Sequence, residues 1–268
     1  MHGAGNDFVM IDATAGAWSA DPAWIRRLGD RHRGVGFDQL IVLVPPRLGG
    51  DVGVLIYNSD GSAARQCGNG MRCVAEMALR RGLVAGPGVA IETPGGIVRA
   101  EIESAGMVRV DMGPPRLEPA EVPFVADARA SRYSLDVAGR TLDVGVASMG
   151  NPHAVTVVAD VATTPVAELG PAVQGLAAFP EGVNVGFLEI RDRGHVRLRV
   201  YERGAGETLA CGSGACAAVV VGRDQGLLDS EVAVDLPGGR LRVRWDGDAA
   251  PVWLAGPTAR VFEGETLI

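Results

Sequence analysis

The chain has 268 residues, 47% of them hydrophobic, with a net charge of −7 and a pI near 5.2. That length suggests about two domains with ordinary cores, and the acidic balance argues against a nucleic-acid polyanion as partner. No run approaches the roughly 18 apolar residues of a membrane span, and no basic-then-apolar signal opens the chain, so no membrane partner is read and the cytoplasm is the expected compartment.

Lysine is absent, so all 25 basic residues are arginine. This removes the Schiff-base anchor of pyridoxal phosphate and the lysine of a P-loop. In a reducing compartment the four cysteines are expected as thiols rather than as a disulfide framework.

In chain order, HGAGN leads into a strand over 8–12, with Asn6 at its start. Asp21-Pro22 is an N-cap followed by proline at the first helical position, predicting a helix that runs towards Gly34. Gln39 opens an apolar strand over 40–44, and a second over 52–57 ends at Asn58-Ser59-Asp60-Gly61. The pattern predicts a helix over 71–83, then strands over 89–92, 98–102 and 107–112 that alternate with period two. Gly113-Pro114-Pro115 reads as the domain boundary, because consecutive prolines fit neither helix nor central strand.

The second half repeats the plan. Strands are expected over 133–137, 141–147 and 154–158, a helix over 165–173, and strands over 183–190 and 195–201. A helix over 215–227 and further strands to 255 complete it, and 260–268 is a candidate edge strand of the first domain.

Two stretches organise this plan: Cys67-Gly68-Asn69-Gly70 and Cys211-Gly212-Ser213-Gly214. Each sets a cysteine before a small glycine-rich turn and a helix. A helix start carries unpartnered N–H groups and positive potential, which favour a thiolate and can bind a carboxylate. The cysteines lie 144 residues apart, and Tyr57-Asn58 answers to Tyr201-Glu202 at the same offset. Gly5-Asn6 answers to Gly150-Asn151, and Gln39 to Asn184, at 145; Pro94-Gly95-Gly96 answers to Pro237-Gly238-Gly239 at 143. So steady an offset implies tandem duplication. The expected fold is a mixed α/β (α+β) architecture of two pseudo-symmetric domains, each a curved, mainly antiparallel sheet around a central helix, with the active site in the cleft between them. The boundaries are 1–114, with the tail 258–268 crossing back, and 115–257.

Cys73 and Cys216, placed among Val74, Met77, Ala217 and Val219, read as core residues. Cys67 and Cys211 sit among glycine and polar residues and read as functional. Structural zinc prefers two to four residues between paired ligands with four ligands in all. The five residues between Cys67 and Cys73, the four between Cys211 and Cys216, and the helical placement of the inner pair do not suit it, so no metal is expected. The polar set of Asn6, Gln39, Asn58, Asn69, Asn151, Asn184, Glu202, Arg203 and Ser213 suits a zwitterionic amino acid with a second polar end. Carboxylate would go to Arg203 and the helix N–H groups, and ammonium to Glu202. Each asparagine taken singly reads as well as a turn residue. His153 reads equally as a supporting group or a turn residue.

Taken together, HGAGNDF, GFDQL, YNSDGS with QCGNGMRC, GNPH, VNV and ERGAGETLACGSGACAA resemble the diaminopimelate epimerase family along nearly the full chain. The chain opens at the Met-His of the first motif, without the short lead-in strand usual in that family. The resemblance implies a cofactor-independent enzyme interconverting LL- and meso-diaminopimelate for lysine and peptidoglycan precursors, working as a homodimer. It implies a catalytic pair at Cys67 and Cys211, and substrate contacts at Asn6, Gln39, Asn58, Gly68, Asn69, Asn151, Asn184, Glu202, Arg203, Gly212 and Ser213. Inverting a stereocentre needs a base on one face of Cα and an acid on the other. On this reading a helix start lowers one thiol and mutual repulsion keeps the other protonated. A proline or hydroxyproline racemase, and a thiol redox sensor without enzymatic activity, remain the alternatives.

Overall fold

The computed structural model describes residues 1–19, 21–64 and 67–266. It divides into two compact units, Met1–Asp111 with the segment from Ala255 onward, and Met112–Leu254. Both divides fall three residues earlier than the proline-based expectation. The reason is hydrogen bonding: Met112 N–H donates to Val252 O, and Val252 N–H to Gly113 O, each at 2.9 Å, so residues 112–113 pair within the second unit.

The first unit contains β1 (His2–Gly3), β2 (Asn6–Asp12), α1 (Pro22–Gly29), β3 (Gln39–Val44), β4 (Val52–Asn58), β5 (Ala63–Ala64), α2 (Gly68–Arg80), β6 (Gly88–Thr93), β7 (Gly96–Ser104) and β8 (Met107–Asp111). Strand β1 pairs antiparallel with β2, β3 with β4, β4 with β5, β6 with β7 and β7 with β8. Pairs β2–β3 and β4–β6 are parallel.

The second unit contains β9 (Tyr133–Val137), β10 (Arg140–Ser148), β11 (Pro152–Val157), α3 (Val166–Gln174), β12 (Asn184–Asp192), β13 (His195–Glu202), β14 (Gly206–Thr208), α4 (Gly212–Asp224), β15 (Glu231–Leu236) and β16 (Gly239–Arg244); β17 (Trp253–Pro257) spans the divide. Its parallel pairs are β11–β12 and β13–β15, the repeat equivalents of β2–β3 and β4–β6. The fold is mixed α/β and mainly antiparallel, with two parallel joints at matching points of each repeat.

Residues 40–43 of β3 are wholly buried, so both faces of that strand are covered. Leu40 and Val42 pack with Ile25 and Leu28 of α1. Ile41 points the other way, onto Gly70 of α2. In the second unit Val185 and Phe187 pack with Val166, Leu169 and Val173 of α3, while Leu188 approaches Gly222 of α4. The expectation of a sheet around one helix is thus extended by a second helix on the opposite face.

Asp21 caps α1 as expected, accepting the Ala23 N–H at 2.8 Å, but the helix stops at Gly29 and does not reach Gly34. Helices α2 and α4 begin three residues before their expected starts and end three residues before their expected ends. Gly68-Asn69-Gly70 and Gly212-Ser213-Gly214 are therefore first helical turns. The ends are set by Gly82 and Gly226, at φ 70° and 73°. Gly82 N–H bonds to Leu79 O at 3.1 Å and Leu83 N–H to Ala78 O at 2.9 Å; Gly226 bonds to Arg223 at 2.9 Å and Leu227 to Gly222 at 2.8 Å. Both are Schellman caps.

After β17, Ala259 and His2 exchange backbone hydrogen bonds at 2.9 and 2.8 Å, and Thr258 N–H donates to Gly106 O at 2.9 Å. Glu263 pairs with Arg80 at 2.6 Å. The expected edge strand does not form over 260–266, where every residue is exposed and no face is available to bury; 267–268 lie outside the described residues.

Neither Gly82 nor Gly226 has any atom within 4 Å of an added Cβ, so alanine there meets only the left-handed backbone strain. Gly82→Ala and Gly226→Ala are each expected to lower unfolding free energy by about 1 kcal/mol. Urea denaturation with an unchanged m-value checks this.

Candidate active site

Cys67 is the N-cap of α2, with extended backbone at φ −150° and ψ 101°. Its Sγ accepts the Gly70 N–H at 3.4 Å and lies 3.8 Å from Asn6 Oδ1, to which the thiol donates. Asn69 is buried and donates through Nδ2 to the same Asn6 oxygen at 3.4 Å. Asn6 stands at the start of β2, and its Nδ2 donates to Asp38 Oδ2 at 2.7 Å. Gln39 and Asn58 oppose each other in the β3–β4 register and join through Gln39 Nε2 to Asn58 Oδ1 at 3.1 Å. The buried oxygens Gln39 Oε1 and Asn69 Oδ1 accept no hydrogen bond among the described residues. Two buried acceptors left open suit a donor-rich ligand.

Cys211 holds the equivalent N-cap position of α4, with extended backbone at φ −117° and ψ 106°, but without a side-chain cap bond, and it is buried at 4% exposure. Its thiol donates to Glu202 Oε2 at 3.0 Å and lies 3.6 Å from Ser213 Oγ. The other Glu202 oxygen accepts from Thr208 Oγ1. Burial pushes the Cys211 thiol well above its ordinary range, and the Glu202 charge and hydrogen bond push it further. The protonated state of this thiol therefore has a cause within its own unit, where the sequence invoked repulsion between two thiols.

From Ser213 a polar chain runs inward. Asn151 Nδ2 donates to Ser213 Oγ at 3.3 Å, and Asn151 Oδ1 lies 3.0 Å from His153 Nε2. His153 is buried, and burial, with the Arg203 charge adding, pushes its pKa down to about 3. It is a neutral imidazole whose Nε2–H fixes the Asn151 amide, which decides between the two readings of this residue. Asn184 is buried, donates to Pro152 O at 3.0 Å and accepts the Arg203 N–H at 2.9 Å. The exposed Arg203 guanidinium donates to Glu181 O at 2.7 Å.

The structure thus joins Cys67, Asn6 and Asn69 in one cluster, pairs Gln39 with Asn58, and joins Cys211, Glu202, Ser213 and Asn151 in another. Asn184 and Arg203 hold each other. Gly68 and Gly212 are the first residues of α2 and α4, where N–H groups have no partner inside the helix. Cys73 and Cys216 are fully buried, and burial pushes Cys73 up to about 12. All four cysteines are outside any disulfide. Among the described residues no group of three or more His, Cys, Asp or Glu side chains is arranged to hold a metal. Sequence reasoning missed Thr208 and Asp38, which lie inside quoted motifs but had no mechanical reason attached to them.

The family model for diaminopimelate epimerase matches residues 1–118 and 145–261. The chain belongs to the diaminopimelate epimerase family. It is 52% identical over 264 residues to the diaminopimelate epimerase of Nitrosomonas europaea, covering 98% of this chain and 96% of that one. The Alkalilimnicola ehrlichii member is 53% identical over 268 residues, covering 99% and 96%. Solved structures share the fold at lower identity. A PhzF-family phenazine biosynthesis protein of Bacillus anthracis superposes with TM-score 0.68 at 18% identity, covering 97% of this chain and 93% of that one. A probable proline racemase of Agrobacterium radiobacter superposes with TM-score 0.64 at 19%, covering 96% and 87%.

Replacing Glu202 by glutamine removes both its charge and its carboxylate acceptor from Cys211. In Glu202→Gln the Cys211 thiol is expected to ionise at lower pH, so alkylation of its peptide begins earlier in a pH series. Mass-spectrometric mapping across that series checks it; an unmoved Cys211 midpoint is the contrary result.

Proposed function

We propose that this chain is a cofactor-independent epimerase interconverting LL- and meso-diaminopimelate, by proton removal from one face of the α-carbon and delivery to the other. The carrying observation is the mirrored pair of N-cap thiols, Cys67 and Cys211, in two units of the same plan. Membership of the family, at about half identity over nearly the whole length, supplies the substrate.

Each unit contributes one thiol. At Cys67 the Gly70 N–H supports a thiolate and the Asn6 oxygen supports a thiol, so the group can serve in either state. At Cys211 burial and Glu202 hold the proton. Of the two, Cys67 is the readier base and Cys211 the readier acid. In this direction Cys67 thiolate takes the α-proton and becomes a thiol donating to Asn6. Cys211 gives its proton to the opposite face and is left as a thiolate, and the pair has exchanged roles for the reverse reaction. Charge developing on the α-carboxylate is met by first-turn N–H groups of α2 and α4. Asn6, Gln39, Asn58, Asn69, Asn151, Asn184, Ser213 and Arg203 bind the substrate's polar ends. Glu202 still has acceptor capacity for an ammonium beside its bonds to Thr208 and Cys211.

In the same reading the enzyme is a cytoplasmic homodimer feeding lysine and peptidoglycan precursor synthesis. Among the described residues no helix is long and apolar enough to cross a membrane, and sedimentation tests the dimer.

The deciding experiment is exchange of the α-proton with deuterated water, run on diaminopimelate beside proline and hydroxyproline without added cofactor. Exchange and epimerisation are expected with diaminopimelate alone, undiminished by chelator or carbonyl reagents. Cys67→Ser and Cys211→Ser should each lower epimerisation by at least about a hundredfold with circular dichroism unchanged. Near-native turnover in either variant would sink the two-thiol scheme.

A further inference from the structure

Outside the residues assigned above, the first unit carries a polar cluster that ends on the Cys67 thiol. Arg31 follows α1 and donates to both oxygens of Asp7, each at 2.8 Å, and to Asp38 Oδ1 at 2.9 Å. Asp7 and Asp38 also cross-link through their backbones: Asp38 N–H donates to Asp7 Oδ1 at 2.8 Å, and Asp7 N–H to Asp38 Oδ2 at 3.1 Å. The same Asp38 Oδ2 accepts Asn6 Nδ2 at 2.7 Å.

That last bond decides which way round the Asn6 amide lies. A carboxylate accepts and cannot donate, so the amide nitrogen must face Asp38 and the oxygen must face away. The oxygen then lies 3.8 Å from Cys67 Sγ and takes Asn69 Nδ2 at 3.4 Å. Cys67 Sγ also accepts the Gly70 N–H, which is fixed by the helix. Of these two contacts the amide is the reversible one.

We propose that Asp38, clamped by Arg31, is a positioning residue of the proton-transfer site: it locks the Asn6 oxygen onto Cys67, so that the thiol formed by proton capture has an acceptor waiting. The inference rests on Cys67 being an acid–base group. Were the amide reversed, its NH2 would face the sulfur and favour the thiolate, which is then a weaker base towards a carbon acid. The ion pairs themselves are surface-exposed, with Arg31 54% accessible, so they add little to stability and act through orientation. The charged and titratable groups on the elements around this cluster include Asp7, Asp38 and Arg31 on the β2–β3 side, His2 on β1 opposite Asp7, and Arg72, Cys73, Glu76 and Arg80 on α2. Of the carboxylates among these described residues, Asp38 is the one that hydrogen-bonds the Asn6 amide.

Asp38→Asn, in the full chain, tests this. An amide at 38 can donate to Asn6 and lets its oxygen turn away from Cys67. The expected result is an alkylation midpoint for the Cys67 peptide about one pH unit lower, which is a tenfold shift in the thiol–thiolate ratio. Alongside it, kcat should fall about tenfold while KM stays within about twofold. Asp38→Glu, which keeps an acceptor, should recover part of the loss, and Arg31→Gln should move the midpoint the same way by less. An unmoved Cys67 midpoint in Asp38→Asn, or a rise in KM with kcat unchanged, overturns the proposal. Should Asp38→Asn fail to fold, Arg31→Gln decides, and an unmoved midpoint there overturns it equally. If the native enzyme does not turn over diaminopimelate, the functional reading falls while the alkylation midpoint still decides the role of Asp38.

Discussion

At the third position of helices α2 and α4 a side chain would crowd both the sheet and the cysteine, and the packing of both helix starts depends on glycine there. An added Cβ on Gly70 would lie 2.5 Å from Ile41 Cδ1 and 3.4 Å from Cys67 Sγ. On Gly214 it would lie 3.0 Å from Val200 Cγ2 and 3.2 Å from Cys211 Sγ. Glycine there lets each helix start sit hard against its sheet. In α2 it also leaves the Gly70 N–H donating to the Cys67 sulfur at 3.4 Å. Close packing and the donors at the helix start are one geometric fact: the sheet fixes the helix start, and its first-turn N–H groups, unpartnered inside the helix, favour an anion beside them. A bulkier residue would disturb the core and the thiol in one step.

Given that shared scaffold, the two thiols could have been chemically alike. They differ because of what stands at one equivalent pair of positions, Asn58 and Glu202, at the ends of β4 and β13. Asn58 is neutral and turns to Gln39. Glu202 carries a charge, is held by Thr208 and receives the Cys211 thiol. Cys67 meets an amide oxygen and an N–H, while Cys211 is buried against a carboxylate.

Much of this was legible in the sequence for definite reasons. The repeat could be read because its landmarks are turns, cysteines and short polar residues, which tolerate little substitution by look-alikes. Strands such as 133–137 were legible because period-two patterning ends at turn residues. Helix starts were misplaced because glycine is a poor helix former by propensity, so Gly68-Asn69-Gly70 reads as a turn; tertiary packing on β3 overrides that preference. Helix ends were misplaced because Gly82 and Gly226 were read as interior rather than as left-handed caps. The roles of Asp38 and Thr208 were not legible, since a carboxylate or hydroxyl that orients another side chain leaves no spacing signature. The direction of the Cys211 shift was hidden for a related reason: it depends on burial and on one contact across nine residues of chain, from Glu202 to Cys211.

These observations separate position from polarity. Duplication supplies position: two sulfurs, each at a helix start, with Asn6 meeting one directly and Asn151 linked to the other through Ser213. It does not supply built-in polarity, since in identical halves only the coupling between the two thiols would leave one protonated and the other ionised. Polarity comes from local exceptions to the repeat, chiefly Glu202 in place of an amide. The two halves also orient their asparagines differently: Asn6 is locked by a carboxylate and Asn151 by a neutral, buried histidine. In the first half the amide oxygen is turned onto the thiol. In the second it is turned onto His153, and the amide nitrogen goes to Ser213. An acceptor beside one sulfur and a hydroxyl beside the other follow from which partner holds each amide. Where a fold is doubled, the residues that break its symmetry are where directional chemistry should be sought.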